Sequence, residues 1–466
     1  MTGLATDLPA LESKPMPPGP AIPAIAQTLL WSLIPTLVMD RWARRHGEIF
    51  TLTFAPSGRQ IVVVSDPQAI KTLFTAAPEI APSAAGSSPI APIMGPNSVI
   101  TLTGTEHMRQ RKLLLPPFHG ERMREYEQTI TDATRAEMAS WQPGEPMRLV
   151  QRTRSITLEV ILRAVFGARA EHLDALRRAI ADLLEPIGVL ALLRYTLAGN
   201  QQQAPGGAIG RALQNLDRVI YDEIRRRRLE PDLHDRVDIL SLLLLARDED
   251  GQPMSDQELR DELVTLLLAG HETTATAVAW AIERLVRHPR TLEKLIAEVD
   301  AAETDDYMQA VISETMRVRP VVPHVLRLLE EPLRLCGHDL PAGTRIFASI
   351  YLTNRNERVY ERAKEFVPER FLEDPPETFS WIPFGGGIRR CIGASFATLE
   401  MKVILRTILS ELEPGLPARA GRLVRNGEFM RRRAITLVPA SGARVVWRQR
   451  VGKRSAREPT QAVVSV

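Results

Sequence analysis

From Ser255 to about Arg287 the sequence spells one long helix. Ser255, Asp256, Gln257 and Glu258 form a capping-box start, and at 1.5 Å per residue the element spans roughly 50 Å. Its middle, LVTLLLA, is apolar on every side, so the helix must be surrounded by protein. A sheath that thick needs a large core, and 466 residues at 44% hydrophobic and 25% charged can supply one. No Gly/Ser linker or charge block divides the middle of the chain, which favours one large domain. Inside the helix, Ala269 to Thr274 (AGHETT) violates local propensity, and such violations concentrate at functional sites. Two readings stay open: Thr273 bonds back to a carbonyl while Glu272 pairs with a buried arginine, or both face a working groove.

The flanking sequence bounds the alternatives. Net charge is +3, which gives a nucleic-acid function no global support. Two cysteines, Cys336 and Cys391, make neither a disulfide framework nor a cysteine-type zinc set, and a reducing, cytoplasmic setting is expected. Residues 1–20 read as a proline-rich extended lead-in, 21–447 as a single domain, and 448–466 as a basic tail without order. Pro23, Gln27, Ser32 and Pro35 interrupt the apolar run from Ala21 to Met39, so no membrane anchor is expected. Glu48 to Phe54 and Arg59 to Pro67 read as a strand pair. Pro78 to Asn97 reads as a long apolar loop without period. Cys336 reads as an ordinary half-buried thiol, and Arg225 to Arg228 as a solvated helix face.

Phe384 to Gly393, FGGGIRRCIG, precedes an Ala/Leu/Met-rich helical run. A cysteine at a helix start has its thiolate favoured by the helix dipole and free N–H groups, and the glycines let the backbone pass close to something flat. A dinucleotide fingerprint fails because the position three after Gly387 is Arg390. A buried structural cysteine in a glycine turn fits this segment taken alone.

Taken together, these segments resemble the cytochrome P-450 superfamily over nearly the whole chain. Phe384, Gly387, Arg389, Cys391 and Gly393 fill the pattern F-x-x-G-x-R-x-C-x-G. Glu314 and Arg317 look like the family's E-x-x-R pair, with Arg370 of Pro-Glu-Arg-Phe completing an ion network. Residues three apart share a helix face, and a guanidinium can fork onto one carboxylate. AGHETT resembles the family's oxygen-binding groove.

The resemblance implies a mainly α fold with small β-sheets (α+β), the haem lying between the long helix and the cysteine loop. Cys391 becomes the axial ligand of haem b. Ala269, Phe384 and Gly393 border the haem; His107, Arg111, Arg327 and Arg389 serve its propionates; Glu272 and Thr273 route protons. A thiolate ligand favours O–O cleavage, so the implied activity is monooxygenation of a lipophilic substrate by molecular oxygen. Electrons come from a separate ferredoxin or flavodoxin with an NAD(P)H-dependent reductase, docking on Arg109, Lys112 and Arg390 of a monomer. A peroxide-using enzyme, an isomerase and a non-catalytic haem sensor or carrier are the alternatives.

Overall fold

The computed structural model describes residues 16–450, apart from 85, 87–89, 119, 121, 168–169, 185–205 and 419–426. The principal elements are α1 (Ala24–Leu33), α2 (Pro35–His46), β1 (Ile49–Phe54), β2 (Arg59–Val64), α3 (Pro67–Thr75), α4 (Gly104–Leu114), α5 (Leu149–Phe166), α6 (Gly207–Arg228), α7 (Asp256–Leu285), α8 (Asp306–Val318), β3 (Val325–Leu328), β4 (Arg345–Ala348), α9 (Ala394–Glu411) and the hairpin β5 (Met430–Arg433) to β6 (Thr436–Pro439). The fold is α+β, a helical mass beside small sheets, as expected.

Helix α7 is the axis of the core. Ser255 accepts from the Glu258 N–H at 3.2 Å, and the Glu258 carboxylate accepts from the Ser255 N–H at 2.7 Å. From Thr274 to Leu285 every residue is buried. Helices α5 and α9 pack against α7, and Gly270 makes the close approach to α5 possible, since a Cβ there would lie 3.1 Å from Ile161.

The main sheet runs in the order β1, β2, β4, β3. Strands β1 and β2 form the hairpin read from the sequence, and β4 then joins β2 in parallel after the whole helical mass has intervened. The loop from Pro78 is more ordered than its composition implied. Ser83 bridges Arg327, and the backbone N–H groups of Leu328 and Glu330 donate to Pro82 and Ile80. A proline carbonyl can still accept although its nitrogen cannot donate. A short helix, Ala91–Met94, follows.

The apolar stretch from Ala21 divides at Ile34 into α1 and α2, and among the described residues no helix is long and apolar enough to cross a membrane. Met16 to Pro20 lies along β1: Pro17 and Pro18 accept hydrogen bonds from the Thr51 hydroxyl and N–H. The first fifteen residues of the lead-in lie outside the described residues.

Three expectations need correction. Arg227 is fully buried, not solvated; it pairs with Glu223 and Asp238 and donates to Ser241 and the Phe166 carbonyl. The last turn of α6 is wedged against the helix capped by Asp238, so one arginine of the four points inward. Arg448 lies in the strand Arg444–Gln449, and Arg450 pairs with Asp300 at 2.5 Å, so order extends past 447; Lys453, Arg454 and Arg457 lie outside the described residues. Cys336 is exposed at a hairpin turn between Leu333–Leu335 and His338–Leu340.

Candidate active site

A cavity of about 640 Å³ separates α7 from the cysteine loop, with Thr265, Leu266, Ala269, Gly270, Thr273 and Thr274 on the helix wall. These positions are three, four and five residues apart, one stripe of the helix. Facing them, Cys391, Ile392 and Gly393 lead into α9.

The cysteine loop is held by its neighbours. Its backbone closes through the Cys391 N–H donating to the half-buried Phe384's carbonyl at 3.0 Å. Gly386 and Gly387 pass directly beneath α3: a Cβ on Gly386 would come 2.3 Å from the Phe74 ring, and one on Gly387 2.1 Å from the Phe74 carbonyl. Gly387 also has φ of 63°, so no other residue suits that point. Cys391 is exposed to the cavity it lines, yet the protein packed around it desolvates the thiol and pushes it up, outweighing the Gly393 N–H and the positive charges of Arg390 and Arg111. The helix-start argument alone had favoured thiolate. Desolvation is the larger effect, and a cationic metal centre supplies what the amide cannot.

The cationic flank lies where the cavity meets α4. Arg111, Arg327 and Arg389 line it with His107. Arg389 donates to the backbone carbonyls of Val99 and Leu102, and Arg327 lies over the Phe74 ring at 5.3 Å. No carboxylate pairs with any of these three arginines among the described residues. Burial, together with Arg327 and Arg111, lowers Arg389 to about 10, and burial plus the three arginines lowers His107 to about 4. The buried His107 Nδ1 has no partner among the described residues. Positive groups gathered without acids, beside a glycine-rich loop and a cysteine, fit a flat, dianionic, metal-bearing group such as haem.

The acid and alcohol of AGHETT are separated. Thr273 lines the cavity and bonds back to the Ala269 carbonyl at 2.6 Å. Glu272 turns away, paired with Arg154 of α5 at 2.5 Å and with Arg433 at 3.6 Å. Both halves of the local-bonding reading therefore hold in this structure, and Thr273 also faces the groove.

Away from the cavity, Glu314 and Arg317 are wholly buried and joined by two hydrogen bonds of 2.6 and 2.8 Å, with Arg370 Nε 3.3 Å from the same carboxylate. The supposed docking cations differ from expectation. Arg109 is pinned between Asp248 and Glu258 at 2.6 and 2.5 Å, and Lys112 pairs with Glu249 at 2.7 Å. Both are engaged by acids of the loop before α7 and of its first turn; Arg390, which is exposed, has no ion pair among the described residues.

Sequence reasoning passed over Glu400. It is buried on α9, bonded to Thr274, and burial raises its carboxyl to about 8. A lone acid in the run SFATLEMKVIL was the available signal. The unfolded chain releases this proton near pH 4.5, so folding holds a proton between that pH and about 8, and stability falls as pH rises through the window. Glu400→Gln removes that dependence, a difference of about 1.4 kcal/mol per pH unit inside the window. Urea midpoints at pH 5 and pH 8 check it; equal shifts in both proteins would mean the carboxyl is already ionised.

A long helix and a cysteine loop enclosing a cationic cavity, lined by no acid among the described residues, define a haem-thiolate protein. The chain belongs to the cytochrome P450 family, whose family model, described as Cytochrome P450, matches residues 16–431. Two relatives from Mycobacterium tuberculosis, provisionally named cytochrome P450 137 and 138, are 40% and 37% identical, covering 88% and 97% of this chain and 85% and 100% of theirs. A cyanobacterial structure described as retinoic acid bound CYP120A1 superposes with a TM-score of 0.78 at 25% identity, covering 94% of this chain and all of that one. The heme domain of cytochrome P450DA gives 0.81 at 22%, with 93% and 98% covered, and so shares the fold. As a member, the chain takes a haem cofactor and is in general a haem-thiolate monooxygenase, using oxygen, a substrate and redox partners.

Proposed function

We propose that the chain binds haem b through Cys391 and inserts one oxygen atom of dioxygen into a lipophilic substrate by hydroxylation or epoxidation, with electrons from a separate ferredoxin or flavodoxin and its NAD(P)H-dependent reductase. The observation that carries this reading is the cavity itself, where the Cys391 side chain and the Thr273 hydroxyl share one largely apolar chamber. When bound, the haem supplies two-electron activation of oxygen. His107, Arg111, Arg327 and Arg389 hold its carboxylates by charge-assisted hydrogen bonds, while Ala269 and Gly393 leave room for its faces. Ile90, Val99, Ile161 and Val325 exclude water from the chamber. Retinoic acid in a structural neighbour supports a lipophilic substrate class.

Thr273 positions the proton that oxygen activation requires; its hydroxyl already sits in the chamber. Glu272 relays protons to it only after leaving Arg154, which makes the ion pair a latch on proton entry. Thr273→Ala keeps haem bound and diverts reducing equivalents to hydrogen peroxide. The test is product formed per NAD(P)H consumed with a surrogate ferredoxin system, a ratio expected to drop as proton delivery is misdirected. An unchanged ratio removes Thr273 from proton delivery. Oxygen consumption coupled to product in that assay also separates the proposal from a peroxide-driven enzyme or an inert haem carrier.

A further inference from the structure

The cationic flank beside Cys391 accounts for only part of the positive charge in the cavity. A second group, Arg59, Arg345 and Arg432, lines the same chamber where the main sheet and the β5–β6 hairpin meet, and no aspartate or glutamate lines it anywhere among the described residues. In the first group burial, then Arg327 and Arg111, lowers Arg389; in the second, burial and then Arg59 lower Arg345, and burial alone lowers Arg432.

Arg432 is the focus of this second group. In the strand Met430–Arg433 side chains alternate in direction: Arg431 is exposed, Arg433 reaches Glu272, and Arg432 turns to the cavity. Its Nε donates to the Ala434 carbonyl at 3.1 Å, and its guanidinium lies 5.7 Å over the Trp31 ring. No carboxylate pairs with it among the described residues, and the two terminal nitrogens of the fork have no hydrogen-bond partner there. Beside it the His324 ring packs 3.9 Å from Phe347 and 5.2 Å from Trp31, with its buried Nδ1 unpartnered among the described residues. Arg432 is half-buried, and a charge set among aromatic rings without a counter-ion loses part of its hydration at a cost. The cost is offset when an anion completes the site.

We propose that the substrate is an amphiphile with a carboxylate head, held by the Arg432 fork with His324 beside it, and a lipophilic body lying along Trp31, Phe54, Phe347 and Ile435. A planar guanidinium with two free parallel donors matches a carboxylate in shape as well as charge, and the aromatic and aliphatic surface around it takes the body. The inference rests on the monooxygenase reading of the same cavity.

The test pairs acids with their methyl esters, from dodecanoate to octadecanoate, on the haem-loaded protein. Binding is read both as the substrate-induced shift of the haem spectrum and by calorimetric titration. In the native protein each acid binds more tightly than its ester. Arg432→Met weakens the acids about 10- to 100-fold, the range of one charged hydrogen-bonded anchor, and leaves the esters within about 2-fold on the same scale. Arg432→Lys keeps part of the affinity, since it holds the charge and loses the fork. Acids and esters weakened alike by Arg432→Met would show that the residue only packs on Trp31. Acids bound no better than esters by the native protein, or no member of any pair bound, would overturn the carboxylate head. Esters that shift the spectrum without discrimination leave the monooxygenase reading standing; a carbon monoxide spectrum lacking the thiolate band would sink that reading instead.

Discussion

Cys391→Ser will abolish the red-shifted Soret band that carbon monoxide raises in a thiolate-ligated ferrous haem. A serine hydroxyl at this position is a poor ligand, because its proton is far harder to remove than that of a thiol and the site is already desolvated enough to push the thiol up. The loop itself should survive the change. Its shape depends on the hydrogen bond from the residue-391 N–H to Phe384 and on Gly386 and Gly387 lying against Phe74, neither of which involves the sulfur. The variant is therefore expected to fold, with helical circular dichroism equal to the native protein's, and to lose the band completely. Survival of the band in a folded variant would exclude Cys391 as the ligand; Cys336, at a hairpin turn, does not line the cavity.

Arg317→Ala attacks the fold itself. The guanidinium grips both oxygens of Glu314 and donates to the carbonyls of Asn354, Ala363 and Glu365, with the Tyr360 ring 4.7 Å away. Truncation leaves Glu314 buried with the Val367 N–H and Arg370, and three carbonyls without their donor. Breaking a buried pair by removing one partner costs about 3 to 5 kcal/mol, a large part of the roughly 5 to 15 kcal/mol that holds a domain folded. Arg317→Lys should rescue little, since an ammonium cannot fork onto the carboxylate and reach those carbonyls as well. Soluble yield and the urea midpoint read the effect. A haem-loaded Arg317→Ala protein of native stability would show that the network is peripheral.

What could be read before the structure was local chemistry. The cap at Ser255, the i,i+3 pair at Glu314 and Arg317, and the glycines around Cys391 each carry their reason within a few residues, and the fold class followed from the family pattern they make together. What could not be read depends on partners far along the chain. Glu272 looks inward or outward according to Arg154, 118 residues earlier. Arg227 is one of four consecutive arginines, and the more distant Asp238, Ser241 and Phe166 help single it out for burial. Arg109 seemed free to face a partner protein until Asp248 and Glu258 took both sides of its guanidinium. Arg432 is likewise silent in the sequence, because strand alternation decides its direction and the strand begins only at Met430.

The contact between Phe74 and the paired glycines of the cysteine loop bears on the entropy of cofactor capture. Confining one backbone residue costs about 1 to 2 kcal/mol. A loop shaped by α3 meets that cost when the protein folds, leaving less of it to oppose the entry of a ligand. Haem affinity and chain stability thus draw on one shared contact, so a smaller side chain at position 74 would loosen the grip on the cofactor without touching a single group that binds it.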